Sequence, residues 1–582
     1  MNSVWKVYAK KADFNEIGQR YNIDPVIARI IRNRDVQGFE ELECYINGGR
    51  KDLFNGKLMK DMEKGVEIIA SKIREGAKIR IIGDYDVDGV SSIFILLKGL
   101  KALKADVDYV IPHRITDGYG INESLIQDAF DAGVDTIITC DNGIAAMEQI
   151  TFAKSLNMTV VVTDHHDVRF EEEDGVRTYI IPNADAVINP KQENCGYPFK
   201  ELCGAAVAYK FMECLTVMMV ENGDVVIEEY QQFMDSLLEM AAVATIGDVM
   251  ELKGENRIIV KIGLGLLNQT KNLGLRSLME LNGISKGTLS AYHIGFIIGP
   301  CLNASGRLDT ASRSLELLMA ENKADADRLA GDLKAFNDER KNLTLEQAAK
   351  AADMVDTTEL SKDNVLVVYL PECHESIAGI IAGRLRERYY KPVLVITNSE
   401  EGLKGSGRSI EGYNMFEKLL KVSDLMTKFG GHPMAAGVSL PKDNLEEFRR
   451  RLNEDANLTE EDLTPIEWID VAMPIDYITE ELISQLNILE PFGKGNEKPC
   501  FADRNLMVSR VNIMGKNRNV LKMQLTNERG NTIEALKFNA DEGLLSEIQS
   551  GDLISVIYYP SINEFNGKKT LQIVVNEIRK QG

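Results

Sequence analysis

Between residues 78 and 164, short apolar runs rich in β-branched residues alternate with stretches of helical period. "KIRIIGDY" (78–85) precedes a helix striped with Val90, Ile93, Leu97 and Leu100. "VDYVIP" (107–112) precedes a helix near 122–132, "DTIITC" (135–140) precedes one near 144–156, and "MTVVVTD" (158–164) follows. Continuous apolar runs mark strands buried on both faces, so this alternation predicts a parallel sheet covered by helices on either side. Residues 203–356 read as largely helical. Leu329, Leu333, Phe336 and Leu343 stripe one face of a charge-rich segment there, which predicts a long helix that packs along its neighbours and joins two lobes. A second α/β unit begins near 363 with "NVLVVYL", then "SIAGIIAGRLRERY", "PVLVIT", "GSGRS" and "FGGHPMAAGVSL". Alternating runs at 506–513, 520–527, 531–538, 552–559 and 570–577, with turns such as "MGKNRN" and "NEFNGKK", predict a five-stranded OB-like barrel. The fold class is α/β: two α/β lobes joined by a long helix, plus a C-terminal OB-like β-barrel.

Composition narrows the class. At 582 residues, 44% hydrophobic with 15 prolines, the chain is globular and too long for one core. "MNSVWKVYAKKADF" carries no apolar signal-peptide core, and the most apolar helix, 205–220, is broken by Lys210 and Glu213. The eight cysteines form no CxxC pair, which fits a reducing cytoplasm and argues against a thiolate zinc site. A net charge of −22 argues against a general nucleic-acid binder, whose surface is usually basic. Bound divalent cations would offset such acidity locally.

The candidate chemistry sits where strands of the first unit end. Asp84 and Asp86 follow the first strand, Asp141 the third, and Asp164, His165 and His166 the fourth. In open parallel sheets these ends line the ligand crevice. Crowded carboxylates stay ionised only when cations compensate them, so the cluster reads as a metal site. Oxygen donors with one or two histidines suit Mn²⁺ or Mg²⁺, and four or more acids suit two ions sharing a carboxylate. Asp248, ending an apolar helix in "IGDVM", could complete the set. Taken singly, each element has an ordinary reading: a DxD is commonly a turn or helix N-cap, a His-His pair is often structural, and Asp-Asn-Gly is turn chemistry.

Taken together, "GDYDVDG", "CDNG", "TDHH" and "GDVM" resemble the four motifs of the DHH phosphoesterase superfamily. "HESIAGIIAGRL", "GSGRS" and "GGHPMAAG" look like its DHHA1 companion domain. With "GPCLNASGRL" and "LEPFGKGNEKPCF", the chain from about 75 onward resembles the RecJ family of single-strand-specific 5′→3′ DNA exonucleases. The resemblance implies an N-terminal helical segment (1–75), a DHH catalytic domain (76–310), a connecting helix (311–360), a DHHA1 domain (361–458) and an OB-fold DNA-binding domain (459–582). It implies two Mn²⁺ (or Mg²⁺) ions on Asp84, Asp86, Asp141, His165 and Asp248, with Asp141 as the bridge and His166 beside the scissile phosphate. Asp88 and Asp164 would order the loop or orient a histidine. Arg114, Arg307, His374, Arg384, Ser406, Arg408 and His432 would hold DNA and its 5′-phosphate. Gly405, Gly407, Gly430 and Gly431 would let the backbone approach it closely. The pattern departs at Cys301, where the family's motif has arginine; Arg307 remains.

The further expectations are a monomeric cytoplasmic enzyme of DNA recombination and repair, acting on single-stranded DNA, with a RecQ-type helicase and a single-strand-binding protein as partners. The barrel ends the chain, so contacts that some members make through an extra C-terminal domain are not assumed. Two other classes fit parts of the sequence. A phosphodiesterase of short oligonucleotides or cyclic dinucleotides would lack the barrel, and a non-catalytic DNA-binding scaffold would be expected to lose ligand acids.

Overall fold

The computed structural model describes residues 3–581 apart from 115, 116, 119, 174, 175, 401 and 566. Two compact units emerge, one formed chiefly by Phe54–Asp248 and Gly263–Pro465, the other by Val4–Leu53, Val249–Ile262 and Ile466–Gly582.

In the larger unit, β1 (Lys78–Ile82), β2 (Asp106–Val110), β3 (Thr136–Cys140), β4 (Thr159–Thr163) and β5 (Ala186–Ile188) form a sheet in the order β2-β1-β3-β4-β5, parallel throughout. Ile137, Val160 and Val162 pack with Leu125, Ile126 and Ile150 of the helices on one face. The opposite face is covered by α1 (Val87–Ala102) and α2 (Gly204–Glu221), and the strands are accordingly apolar on both sides. The apolar helix read at 205–220 is α2, and its Lys210 is fully buried with its ammonium on the Phe54 carbonyl at 2.6 Å. No helix among the described residues is long and apolar enough to cross a membrane. α3 (Tyr230–Gly247) is buried along most of its length and delivers its C-cap, Asp248, to the sheet's carboxyl edge.

After α4 (Gly299–Leu308), the connecting segment is the single helix α5 (Lys323–Thr357), 35 residues long, with Leu329 and Leu333 buried as the stripe predicts. The second sheet comprises β6 (Leu366–Tyr369), β7 (Val393–Ser399), β8 (Gly402–Arg408), β9 (Lys428–His432) and β10 (Ala435–Leu440), ordered β9-β10-β8-β7-β6. Only β6–β7 is parallel. Helix α6 (Glu375–Tyr389) packs on its centre.

The smaller unit contains the expected barrel: β11 (Phe501–Met514), β12 (Val520–Thr526), β13 (Thr532–Lys537), β14 (Leu553–Phe565) and β15 (Lys568–Lys580) close through β11–β14 pairing. Its core is not made by the barrel alone. Ile27, Ile30, Ile31, Leu42 and Tyr45 belong to the same buried cluster as Leu486, Phe501 and Tyr558. A buried Arg34–Asp470 pair, with two bonds of 2.7 and 3.0 Å, joins the N-terminal helices to the segment before the barrel.

Candidate metal centre

The strand order reverses between β1 and β3: the chain crosses from β1 to β2, then returns to pair β3 on the other side of β1. Crevices for ligands open beyond the carboxyl ends of strands at such a point. The loops after β1, β3 and β4 meet there.

Each loop is shaped by its own residues. Asp86 is the N-cap of α1, its Oδ1 accepting from the amides of Asp88 at 2.9 Å and Gly89 at 3.1 Å. The cap reading of the DxD is therefore correct for Asp86, and its second oxygen is left for other use. A Cβ on Gly89 would fall 2.4 Å from the Asp84 carbonyl oxygen, so the turn requires glycine. Asp88 turns away and accepts from the Gly204 and Ala205 amides, each at 2.7 Å, which places its charge on the N-terminus of α2. Asp141 sits at φ 59°, a left-handed conformation that aspartate tolerates better than most side chains. Asp164 accepts from the amides of Ile144 (2.9 Å), His165 (2.7 Å) and His166 (3.2 Å), and its Oδ1 meets His166 Nδ1 at 2.7 Å.

The electrostatics separate two histidines that are adjacent in sequence. Burial lowers the pKa of His165, which stays a neutral imidazole. Burial also opposes charge on His166, but its bond to Asp164 together with the charges of Asp164, Asp88 and Asp248 outweighs this and carries it up to about 9. The same bond, against the effect of burial, holds Asp164 at about 2. Asp84 and Asp141 are driven well above the carboxylate range, first by burial and then by neighbouring carboxylates. Burial and Asp88 raise Asp86 likewise.

Charges that oppose one another so strongly define a place for a cation. His165 Nε2 lies 3.1 Å from Asp141 Oδ1, 3.6 Å from Asp88 Oδ2 and 3.9 Å from Asp248 Oδ2. Three sets hold ligand atoms within 4.8 Å of one another: Asp84–Asp86–Asp141, Asp141–His165–His166 and Asp88–His165–Asp248. Asp84 Oδ1 and His165 Nδ1 are buried without a hydrogen-bond partner among the described residues. These donors fit divalent manganese or magnesium. Seven of the eight candidate residues from the four motifs are thus brought together, and the eighth, Asp164, supports them through His166. Asn142, which sequence reasoning left as turn chemistry, is buried with its amide on the Ile82 and Cys140 carbonyls and so ties β1 to β3.

The second lobe's candidates are more dispersed. Arg114, with its guanidinium 4.8 Å over the Tyr85 ring, and Ser406 line a cavity of about 480 Å³ together with Ser376, Lys404, Lys428 and Gly430. Lys404 and Lys428 carried no motif signal and were missed. Arg307 Nη1 donates to the Ser376 carbonyl at 2.5 Å, tying α4 to the start of α6, and burial takes its pKa down to about 10. Arg408 Nη1 donates to Ser406 Oγ at 3.2 Å and the Gly407 carbonyl at 2.7 Å. His374 is the N-cap of α6, its Nδ1 engaged by Ser376 Oγ at 2.7 Å. Arg384 is exposed further along α6, and His432 is exposed at the end of edge strand β9; neither lines the cavity among the described residues. The glycine expectation needs correction at two positions. A Cβ on Gly405 would strike Ile396 at 2.3 Å and one on Gly407 would strike Met415 at 2.3 Å, so these glycines make room for core side chains. Gly430 alone faces open space in the cavity. Cys301 is fully buried, accepting from Asn337 Nδ2 at 3.3 Å.

Family models match along the chain: the DHH family, N-terminal domain at residues 78–245, the DHHA1 domain at 362–457 and the RecJ OB domain at 469–577. The single-stranded-DNA-specific exonuclease RecJ of Bacillus subtilis is 35% identical over 98% of this chain and 70% of its own length. The crystal structure of RecJ from Thermus thermophilus in complex with Mn²⁺ matches with a TM-score of 0.83 at 25% identity, covering all of this chain and 80% of that one. The structure of that protein with Mg²⁺ matches with a TM-score of 0.77, again at 25% identity, covering all of this chain and 79% of that one.

Proposed function

The chain belongs to the RecJ family of single-stranded-DNA-specific exonucleases, and we propose that it removes nucleotides stepwise from the 5′ end of a single strand. It is a metal-dependent phosphodiesterase of DNA recombination and repair, using Mn²⁺ or Mg²⁺. The observation that carries the chemistry is the meeting of ligand acids from two strand ends and a helix end with two histidines from a third strand end.

Asp84, Asp86, Asp141, His165 and Asp248 would hold the divalent cations, with Asp141 shared between two of the ligand sets. What the cations supply when bound is Lewis acidity toward the phosphate oxygens and an acidified water. Neutral His165 offers a lone pair to the site. His166, kept as imidazolium by Asp164, stands beside the scissile phosphate and stabilises charge that builds on its oxygens. Asp88 anchors the β1 loop to α2. Across the cavity, Ser406 and Arg408 take the terminal 5′-phosphate, with Arg114, Arg307, His374, Arg384 and His432 along the strand; a cleft too narrow for a duplex would give the single-strand selectivity. A RecQ-type helicase and a single-strand-binding protein supply the strand, an assignment that rests on the family resemblance.

The test is digestion of 5′- and 3′-labelled single strands bearing a 5′-phosphate or 5′-hydroxyl, with Mn²⁺, by wild type and Arg408→Ala. Wild type is expected to release the 5′ label first and to prefer the phosphate. The variant is expected to lose most of that preference. Equal slowing on both ends would leave Arg408 a general electrostatic contact, and release from the 3′ end would overturn the polarity.

A further inference from the structure

Tyr292 and Phe296 are 62% and 68% exposed, the two most exposed of the large aromatic side chains among the described residues. They are neighbours. Four residues apart on one helical face, their rings stack with centroids 5.0 Å apart and planes at 28°. Exposed aromatics clustered in this way are candidates for a contact site.

The segment that carries them is held firmly. Ile294 and Ile298, on the opposite side, are buried. The turn Ile294–Ile298 is π-helical, closed by the Gly299 amide on the Ile294 carbonyl, and such widened turns concentrate at functional sites. A Cβ on Gly295 would lie 3.5 Å from Ile246 Cγ2, so the turn rests against the last residues of α3, two positions before Asp248. In the other direction it runs straight into α4, which carries Arg307 to the start of α6. The aromatic pair therefore sits on an element flanked by a candidate metal ligand and a candidate strand contact.

We propose that Tyr292 and Phe296 form a stacking platform for a base of the single-stranded substrate next to the metal centre. The inference rests on the nuclease reading above and extends it from phosphate to base. In a chain of net charge −22, long-range attraction for the DNA backbone is limited, and stacking supplies a grip that every base can make because every base has a π-face. The pair is already mutually stacked, so a base adds to an ordered surface with little side-chain entropy to lose.

The experiment compares wild type, the Tyr292→Ala/Phe296→Ala double variant and Phe296→Trp on a plain oligonucleotide and on one with abasic sites through its first several nucleotides. The double variant is expected to raise KM on the plain strand by about tenfold or more, to leave kcat within about twofold, and to leave KM on the abasic strand unchanged. Phe296→Trp is expected to keep the wild-type KM. In parallel, 2-aminopurine walked along the strand reports stacking by quenching without divalent cation, so that it requires no turnover. One position should be quenched by wild type and relieved in the double variant. Unaltered KM and quenching in that variant would overturn the platform and leave the aromatics to a protein partner; equal KM increases on both strands would overturn it as well. Quenching without any digestion by wild type would sink the nuclease reading and leave the platform standing.

Discussion

His165 and His166 are adjacent in the chain, yet their surroundings move their pKa values in opposite directions. The difference lies in a single partner: Asp164, fixed by three backbone amides, takes the His166 ring and leaves His165 to the acids. Among those acids Asp141 belongs to two of the three ligand sets, which gives it the most to lose. Asp141→Ala should reduce nuclease activity by more than the roughly 10–100-fold typical of residues that only orient a ligand. Without metal it should melt close to wild type, since loss of a repelled carboxylate offsets the cost of alanine in a left-handed conformation, and it should lose the Mn²⁺-induced rise in melting temperature. A variant with near wild-type turnover in saturating Mn²⁺ would refute the ligand assignment. A second buried acid behaves differently. Glu239 of α3 is pushed up from 4.5 to about 7 by burial, against the Thr270 hydroxyl at 3.0 Å and the Lys98 charge. Between those two values the unfolded chain ionises and the folded one does not, so stability falls as pH rises through that window and stays lower above it. Glu239→Gln should therefore stabilise the protein by about 1–3 kcal/mol at pH 8 and by little near pH 4.5, read from urea melts at both pH values. An equal effect at both would exclude the buried carboxyl as the cause.

At the scale of elements, the start of α2 controls the metal centre as closely as the strand loops do. Its first two amides bind Asp88, and a Cβ on Gly204 would lie 2.7 Å from the Asp141 Cβ and 2.9 Å from its Oδ1. Gly204→Ala must shift either the helix or the ligand. Destabilisation of about 1–3 kcal/mol is expected from overpacking, together with a weaker Mn²⁺-dependent rise in melting temperature than wild type shows. Full retention of that rise would mean that α2 gives way and Asp141 does not move. Nothing in the sequence around residue 204 announces this role, because the contact joins residues more than sixty positions apart. The glycines of "GSGRS" show the converse. They look like a phosphate cradle by composition, and the sheet register instead turns Gly405 and Gly407 into space for Ile396 and Met415.

For the whole molecule, the informative surprise is the barrel's core. A chain ending at Pro465 would keep Ile27, Ile30, Ile31, Leu42 and Tyr45, all buried at present, without the cluster that covers them. It is expected to aggregate or to melt with poor cooperativity. A chain covering 54–465 keeps only Val249–Ile262 of the smaller unit, so it should be the more soluble of the two and cleave short oligonucleotides while binding long strands weakly. If the two truncations prove equally soluble and cooperative, the shared core contributes less than its burial implies.

Strand positions, the long connecting helix, the five barrel strands and the residues gathered into the candidate metal centre were legible in the chain because each depends on local periodicity or on a motif confined to a few consecutive positions. Asp84 and Asp86, Asp141, and the Asp164–His166 triplet were identifiable for the added reason that parallel strands deliver their carboxyl ends to one edge whatever the intervening helices do. What only tertiary structure decided were the contacts between distant segments. Those include the α2 amides on Asp88, the fate of the glycines in β8, the π-helical turn that presents Tyr292 and Phe296, and the recruitment of residues 4–53 into the barrel's core. Apolar periodicity says that a helix has a face to bury; it does not say against what. That choice belongs to packing, which is settled only when every buried face in the chain has found its cover.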